Sequence, residues 1–116
     1  MRIDRHEPEA GVLSNVVGAG DLVFTAGSVA DDLSLDVKGQ TREALAYIDQ
    51  MLSRCGTSKS KVLFATIWLA DIRLRDAMNE SWLAWVDKAN LPARACIEAK
   101  LADPRLTVEI AVTAVK

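Results

Sequence analysis

At 116 residues the chain suits one hydrophobic core, so a single domain spanning residues 1–116 is expected. Half of the residues are hydrophobic and 26% are charged, and the formal charge of −2 with no Lys/Arg block argues against a nucleic-acid partner. No apolar run approaches the ~20 residues of a membrane span, so no membrane association is expected.

The opening "MRIDRHEPEA" is charged and lacks the apolar core of a signal peptide. It holds the only histidine, His6, which reads as solvated, and no metal site is expected. In "SNVVGAGDLVFTAGSV", Gly18, Gly20 and Asp21 mark a turn between two β-rich runs, a hairpin over about 12–17 and 22–27. Leu45, Ile48, Met51, Leu52 and Cys55 then form one stripe of a helix over 39–55, stopped by Gly56. "KVLFATIWLA", 61–70, is apolar at nearly every position and reads as a strand covered on both faces.

Leu74, Met78, Trp82, Trp85 and Val86 give a second helix over 74–89, with Pro92 closing the loop after it. Strands over 94–101 and 106–115, joined across "ADPR", complete the order ββ–α–β–α–ββ. The fold class is therefore α+β, with two helices on one face of a sheet. In the last strand Leu106, Val108, Ile110 and Val112 alternate toward the helices. Two helices cannot cover both faces of one sheet, so another copy of the chain is expected on the second face.

Two charges stand inside apolar strands. Alternation puts Arg94, Cys96, Glu98 and Lys100 on one side of their strand, and Ala95, Ile97, Ala99 and Leu101 on the other. If the apolar set packs on the helices, Arg94 points to the subunit interface, as Glu109 does. The pair then forms either an interface salt bridge or a small site. In such a site Arg94 would clamp a carboxylate, and a partly desolvated Glu109, raised in pKa, would exchange a proton. Spacing leaves both readings open.

Other chemistry is weaker. The serines lack a base other than His6, so no Ser/His/Asp triad is expected. Cys55 and Cys96 lie far apart and read as reduced cytoplasmic thiols. Cys96 beside Arg94 is either a nucleophile or, the simpler reading, a small buried thiol. Trp68, Trp82 and Trp85 read as core or interface residues, and Asn79 as an exposed polar residue unless its helix borders a site.

At "PARACIEAKLADPRLTVEI" the chain resembles the RidA/YjgF family of reactive-intermediate deaminases, through Pro92, Ala93, Arg94, Cys96, Glu109 and Ile110. "DLVFTAGSV", "KVLFATIWLADI" and "AMNESWLAWV" extend the resemblance over essentially the whole chain. "AMNESWLAWV" and "DPRLTVEI" are most similar to the YoaB-like branch.

The resemblance implies a chorismate-mutase-like fold that assembles into a homotrimer with a central barrel and clefts between subunits. It also implies cofactor-independent hydrolysis of enamines and imines, such as 2-aminoacrylate and 2-iminobutanoate, to 2-oxo acids and ammonia. By the same resemblance Arg94 pairs with the substrate carboxylate and Glu109 positions the water. Backbone groups at Gly27 and Cys96 hold the imine nitrogen, and Asn79 lines the pocket.

Two positions depart from the family pattern. Ser14 or Asn15 stands where deaminase-competent members carry a tyrosine, and Ala26 replaces a serine, so the rim loses hydroxyls. The alternative reading is a non-catalytic trimer that binds a small carboxylate or regulates a partner. Ribonuclease activity, attached to some relatives, is disfavoured by the charge of −2 and the lack of a basic, aromatic-interleaved surface.

Overall fold

The computed structural model describes all 116 residues. Strands β1 (Ile3–Glu9), β2 (Leu13–Ala19) and β3 (Leu22–Thr25) lead into helix α1 (Val37–Arg54). Strand β4 (Val62–Leu69), helix α2 (Arg75–Trp85) and strands β5 (Ala93–Glu98) and β6 (Val108–Val115) follow. The sheet order is β1-β2-β3-β6-β4-β5. Only β4 and β5 run parallel, as a strand–helix–strand crossover through α2 requires; the other neighbours are antiparallel.

Local chemistry sets most boundaries. Gly20, at φ +58°, lets β2 turn straight into β3. Asp36 caps α1 by accepting a hydrogen bond from the Gly39 backbone N–H at 2.9 Å, which starts the helix two residues earlier than its apolar stripe indicates. Gly56, at φ +74°, ends it as expected. Helix α2 stops at Trp85, four residues short of expectation. Val86 is extended, and the Asp87 carboxylate takes up the Ala89 N–H and the Asn90 amide in a turn of its own.

The two helices lie on one sheet face over a core of 19 buried residues. Val108, Ile110, Val112 and Ala114 of β6 enter it, as the alternation predicts. The opposite face is open and apolar. Phe24 and Phe64 flank Thr113 across three adjacent strands and are each 43% exposed, and Ile97 is 47% exposed.

Two features differ from the sequence reading. β1 is an additional strand, hidden because "IDRHEPE" has no apolar alternation. An edge strand with one face to solvent needs none, and its Pro8 is tolerated there. In addition, β5 and β6 are not neighbours, because β6 inserts between β3 and β4.

Candidate functional site

The pairing of β5 with β4 decides where Arg94 points. Ala65, Ile67 and Leu69, all fully buried under the helices, stand in register with Arg94, Cys96 and Glu98. Residues in register share a face, so Arg94 and Cys96 lie on the helix side. The expectation that Ala95 and Ile97 pack under the helices is thereby reversed; Ala99 and Leu101 lie beyond the strand. Alternation separates Arg94, Cys96 and Glu98 from Ala93, Ala95 and Ile97 but does not say which set faces the helices; the ladder with β4 does.

Helix α2 accommodates the guanidinium. Arg94 Nη1 donates to Asn79 Oδ1 at 2.7 Å, and the guanidinium carbon stands 5.2 Å from the centroid of the Trp82 ring. A hydrogen bond from a charged group contributes about 1.5–3 kcal/mol. The cation–π contact adds about 0.5–2 kcal/mol. Together they offset the cost of half-burying the charge and fix its plane. With only Nη1 engaged, the remaining N–H donors stay free.

Glu109 lies on the other face, in register with Trp68 and, through it, with Ile97. From strand spacing and rise, its Cα and that of Arg94 are on the order of 14 Å apart. A salt bridge between them within one chain is therefore excluded. Neither residue joins any of the five salt bridges, which are Arg2–Asp4, Lys38–Glu80, Arg54–Glu7, Arg73–Asp71 and Arg105–Asp103.

Gly27 sits against Glu109. A Cβ built there would overlap the carboxylate and lie 2.8 Å from its Cδ, so only glycine leaves the side chain in place. Ala26 and Gly27 bulge opposite Ala111, between Thr25 and the bridge of Ser28 to Ile110. This close approach is what a glycine at the end of a strand signals. Ala26 donates its N–H to the Asn15 carbonyl at 2.9 Å. The Asn15 amide in turn donates to the Glu7 carbonyl at 3.0 Å, so it serves the β1–β2 edge. Ser14 is half-buried in β2 and pairs with Pro8.

The structure thus brings the predicted residues together in two groups. Arg94, Asn79 and Cys96 form one, Gly27, Ala26 and Glu109 the other. Burial pushes the Cys96 thiol up, and Arg94 and Arg75 only partly oppose it, which matches a small buried thiol rather than a nucleophile. Trp82, assigned only to core or interface by the sequence, also holds the arginine. Its position three residues after Asn79 is the signal that pattern reasoning missed.

Two clefts border these groups. One, of ≈310 Å³, is lined by Arg94, Asn79, Trp82, Leu83, Leu91 and Pro92. The other, ≈470 Å³, is bounded by Gly27, Asn15 and Tyr47 and rimmed by Glu9, Asp31 and Glu43. The Tyr47 hydroxyl is held above its usual range by burial and then by Glu7, Glu9 and Asp31. That acidic rim disfavours anions, whereas the smaller cleft carries the Arg94 cation.

Comparisons with known proteins agree with this architecture. A family model described as Endoribonuclease L-PSP matches residues 4–116. A RutC family protein of Haemophilus influenzae is 41% identical over 115 residues, covering 98% of each chain. The RutC family protein YoaB of Escherichia coli K12 is 39% identical over 114 residues, again 98% of each. The crystal structure of a YjgF-family protein from Neisseria meningitidis matches with a TM-score of 0.95 at 42% identity, over 100% of this chain and 96% of that one.

Proposed function

The chain belongs to the endoribonuclease L-PSP family, the YjgF/RutC proteins, and from that premise we propose that it hydrolyses reactive enamines and imines to 2-oxo acids and ammonia. The observation that carries this reading is a guanidinium with no carboxylate partner, oriented by Asn79 and Trp82 at the mouth of a cleft. Such a group matches the carboxylate of a 2-imino acid and presents parallel N–H donors to it.

The site takes residues from two chains. Arg94 and Glu109 face opposite sides of one sheet, so a shared cleft needs Arg94 of one subunit and Glu109 of a neighbour. The apolar open face around Phe24, Phe64 and Ile97 supports such an assembly, and a homotrimer closes it. Working in the cytoplasm, the trimer intercepts unstable products of other enzymes.

At the imine carbon the chemistry needs little. Glu109 accepts a proton from a bound water as its oxygen bonds to carbon. The imine nitrogen takes that proton to give the neutral carbinolamine; Glu109 then removes the hydroxyl proton and passes it to the nitrogen as the C–N bond breaks, releasing ammonia and a 2-oxo acid. An enamine such as 2-aminoacrylate first gains a proton at its terminal carbon and becomes the imine. Positioning of the water and one general base supply the rate, and no cofactor enters the reaction.

A threonine dehydratase that generates 2-iminobutanoate, with semicarbazide to trap the imine, tests the reading. The protein is expected to lower semicarbazone formation, and Arg94→Ala and Glu109→Ala to abolish that effect. The pocket rim favours one rival, a carboxylate-binding trimer without turnover, because Asn15 is engaged with Glu7 and Ala26 has no hydroxyl. It would be established by saturable 2-oxobutanoate binding that depends on Arg94, with no change in semicarbazone yield.

A further inference from the structure

We infer that Asp49 and Trp85, which lie outside the cleft, are positioning residues for Arg94 and act on it through Trp82. The inference rests on the reading of Arg94 as a carboxylate clamp and adds the residues that hold the plane of that clamp. Four side chains form one row, in the order cation, ring, ring, cation. The Arg94 guanidinium carbon stands 5.2 Å from the Trp82 centroid, and the Lys59 ammonium 5.7 Å from the Trp85 centroid. Between them the two indole centroids are 5.3 Å apart, with their planes tilted by 49°. Asp49 pins the middle of the row, because both of its carboxylate oxygens accept the Trp85 indole N–H at 3.0 Å.

Chain order explains why the outer ring needs that help. Trp82 and Trp85 are three residues apart on α2 and so are neighbours on its surface. Trp82 is buried in the core, so its ring takes its angle from what it packs against, and Trp85 is its aromatic neighbour. Trp85 is half-buried and is the last residue of α2, with Val86 already extended. Its orientation is set from outside α2, by Asp49 on α1 and by Lys59 in the 3₁₀ turn Lys59–Lys61 ahead of β4. Freed from Asp49, the indole gains rotamers at a helix terminus, and Trp82 loses the fixed ring beside which it holds Arg94.

A tie between two helices is not what this bond supplies. The buried Ser81 hydroxyl already joins α2 to α1 by donating to the Lys38 carbonyl at 2.9 Å, and the Lys38–Glu80 ion pair at 2.6 Å joins them again. Asp49 is exposed and Trp85 half-buried, so water would serve both groups if they parted. An exposed bond of this kind adds little to stability, since protein and water partners nearly exchange for one another. What it does fix is the plane of the Trp85 ring.

Two measurements on the assembled protein test this, and the first needs no ligand. Nuclear magnetic relaxation of the Arg94 Nε reports how firmly the guanidinium is held. Asp49→Ala is expected to lower the order parameter of that group. Asp49→Asn, whose amide oxygen still accepts the indole N–H, is expected to restore it. Glu80→Ala loosens the same two helices without touching Trp85 and is expected to leave it unchanged. In the second measurement, titration with 2-oxobutanoate, Asp49→Ala is expected to weaken binding about two- to fivefold, the scale of one cation–π contact. In the semicarbazone assay the same variant raises KM and leaves kcat nearly unchanged, as loss of uniform binding does. Unchanged Arg94 order in Asp49→Ala, or an equal loss in Glu80→Ala, would overturn the inference. Absence of 2-oxobutanoate binding by the wild-type protein would instead refute the carboxylate clamp, and the relaxation measurement would still decide whether Asp49 holds Arg94.

Discussion

Single atoms decide whether the two charged residues are usable. At Gly27 an added methyl meets the Glu109 carboxylate, so Gly27→Ala must push that side chain aside. The variant is expected to fold, because Gly27 is exposed, and to lose turnover to nearly the extent of Glu109→Ala. Circular dichroism and the semicarbazone assay together check both halves. At Asn79 the oxygen that accepts from Arg94 is neutral. Asn79→Asp puts a carboxylate at the same place, neutralises the guanidinium internally, and is expected to weaken 2-oxobutanoate binding about tenfold or more. Asn79→Ala, which only removes the brace, should cost less, and reversal of that order in a titration would count against the clamp. Cys96 gives a pH test. Burial holds its thiol above the ordinary value of 9.0, so alkylation by iodoacetamide should be slow at neutral pH and rise only in more alkaline solution. The sign for stability follows. The folded state favours the neutral thiol, so its contribution is full below the unfolded pKa and is lost as pH rises through the folded one.

At the scale of elements, one buried amide ties α1 to the segment that leads into β6. Gln40 on α1 is fully buried; its Nε2 donates to the Leu35 and Arg105 carbonyls at 3.0 Å each, and its Oε1 accepts the Thr107 N–H at 2.9 Å. Replacing it with leucine strands the Leu35 carbonyl just before α1, and the Arg105 carbonyl and Thr107 N–H at the entry to β6, with Thr107 two residues before Glu109. Each unmet group costs about 1–3 kcal/mol, so Gln40→Leu is expected to lower the urea midpoint markedly. Elements of this kind were legible in the sequence to different degrees. Helix α1, strands β2 and β4 and the inward face of β6 follow from apolar spacing, because a buried stripe or face writes its period into the chain. β1 does not, since an edge strand of charged residues has no period to show. The face of Arg94 is also hidden, because it depends on the parallel register with β4, a contact between residues 29 apart in sequence at the Ala65–Arg94 pair. Arg94, Asn79, Gly27 and Glu109 were identifiable as residue types at matched positions. Their division into two groups became visible only once the sheet order was known.

That division sets what the whole molecule must do. A chain with Arg94 on the helix side and Glu109 on the open face cannot bring the two together by a side-chain movement, because the sheet itself stands between them. In the proposed reading, assembly brings them together across two chains. Light scattering is expected to give three times the 12.6 kDa of one chain. Phe64→Asp, which places a charge among Phe24, Phe64 and Thr113, is expected to dissociate the assembly and abolish turnover together. The sharper test separates a shared site from one contained in each chain. Arg94→Ala trimers lack every clamp and Glu109→Ala trimers lack every acid, so both are expected to be inactive alone. Unfolded together in equal amounts and refolded, they form mixed trimers. Some interfaces in these unite an intact Arg94 from one chain with an intact Glu109 from the next. Random mixing gives each interface a one-in-four chance, so about a quarter of wild-type activity should return. If each chain supplied both residues to its own site, no mixture of the two variants would contain an intact one, and the activity would stay at zero.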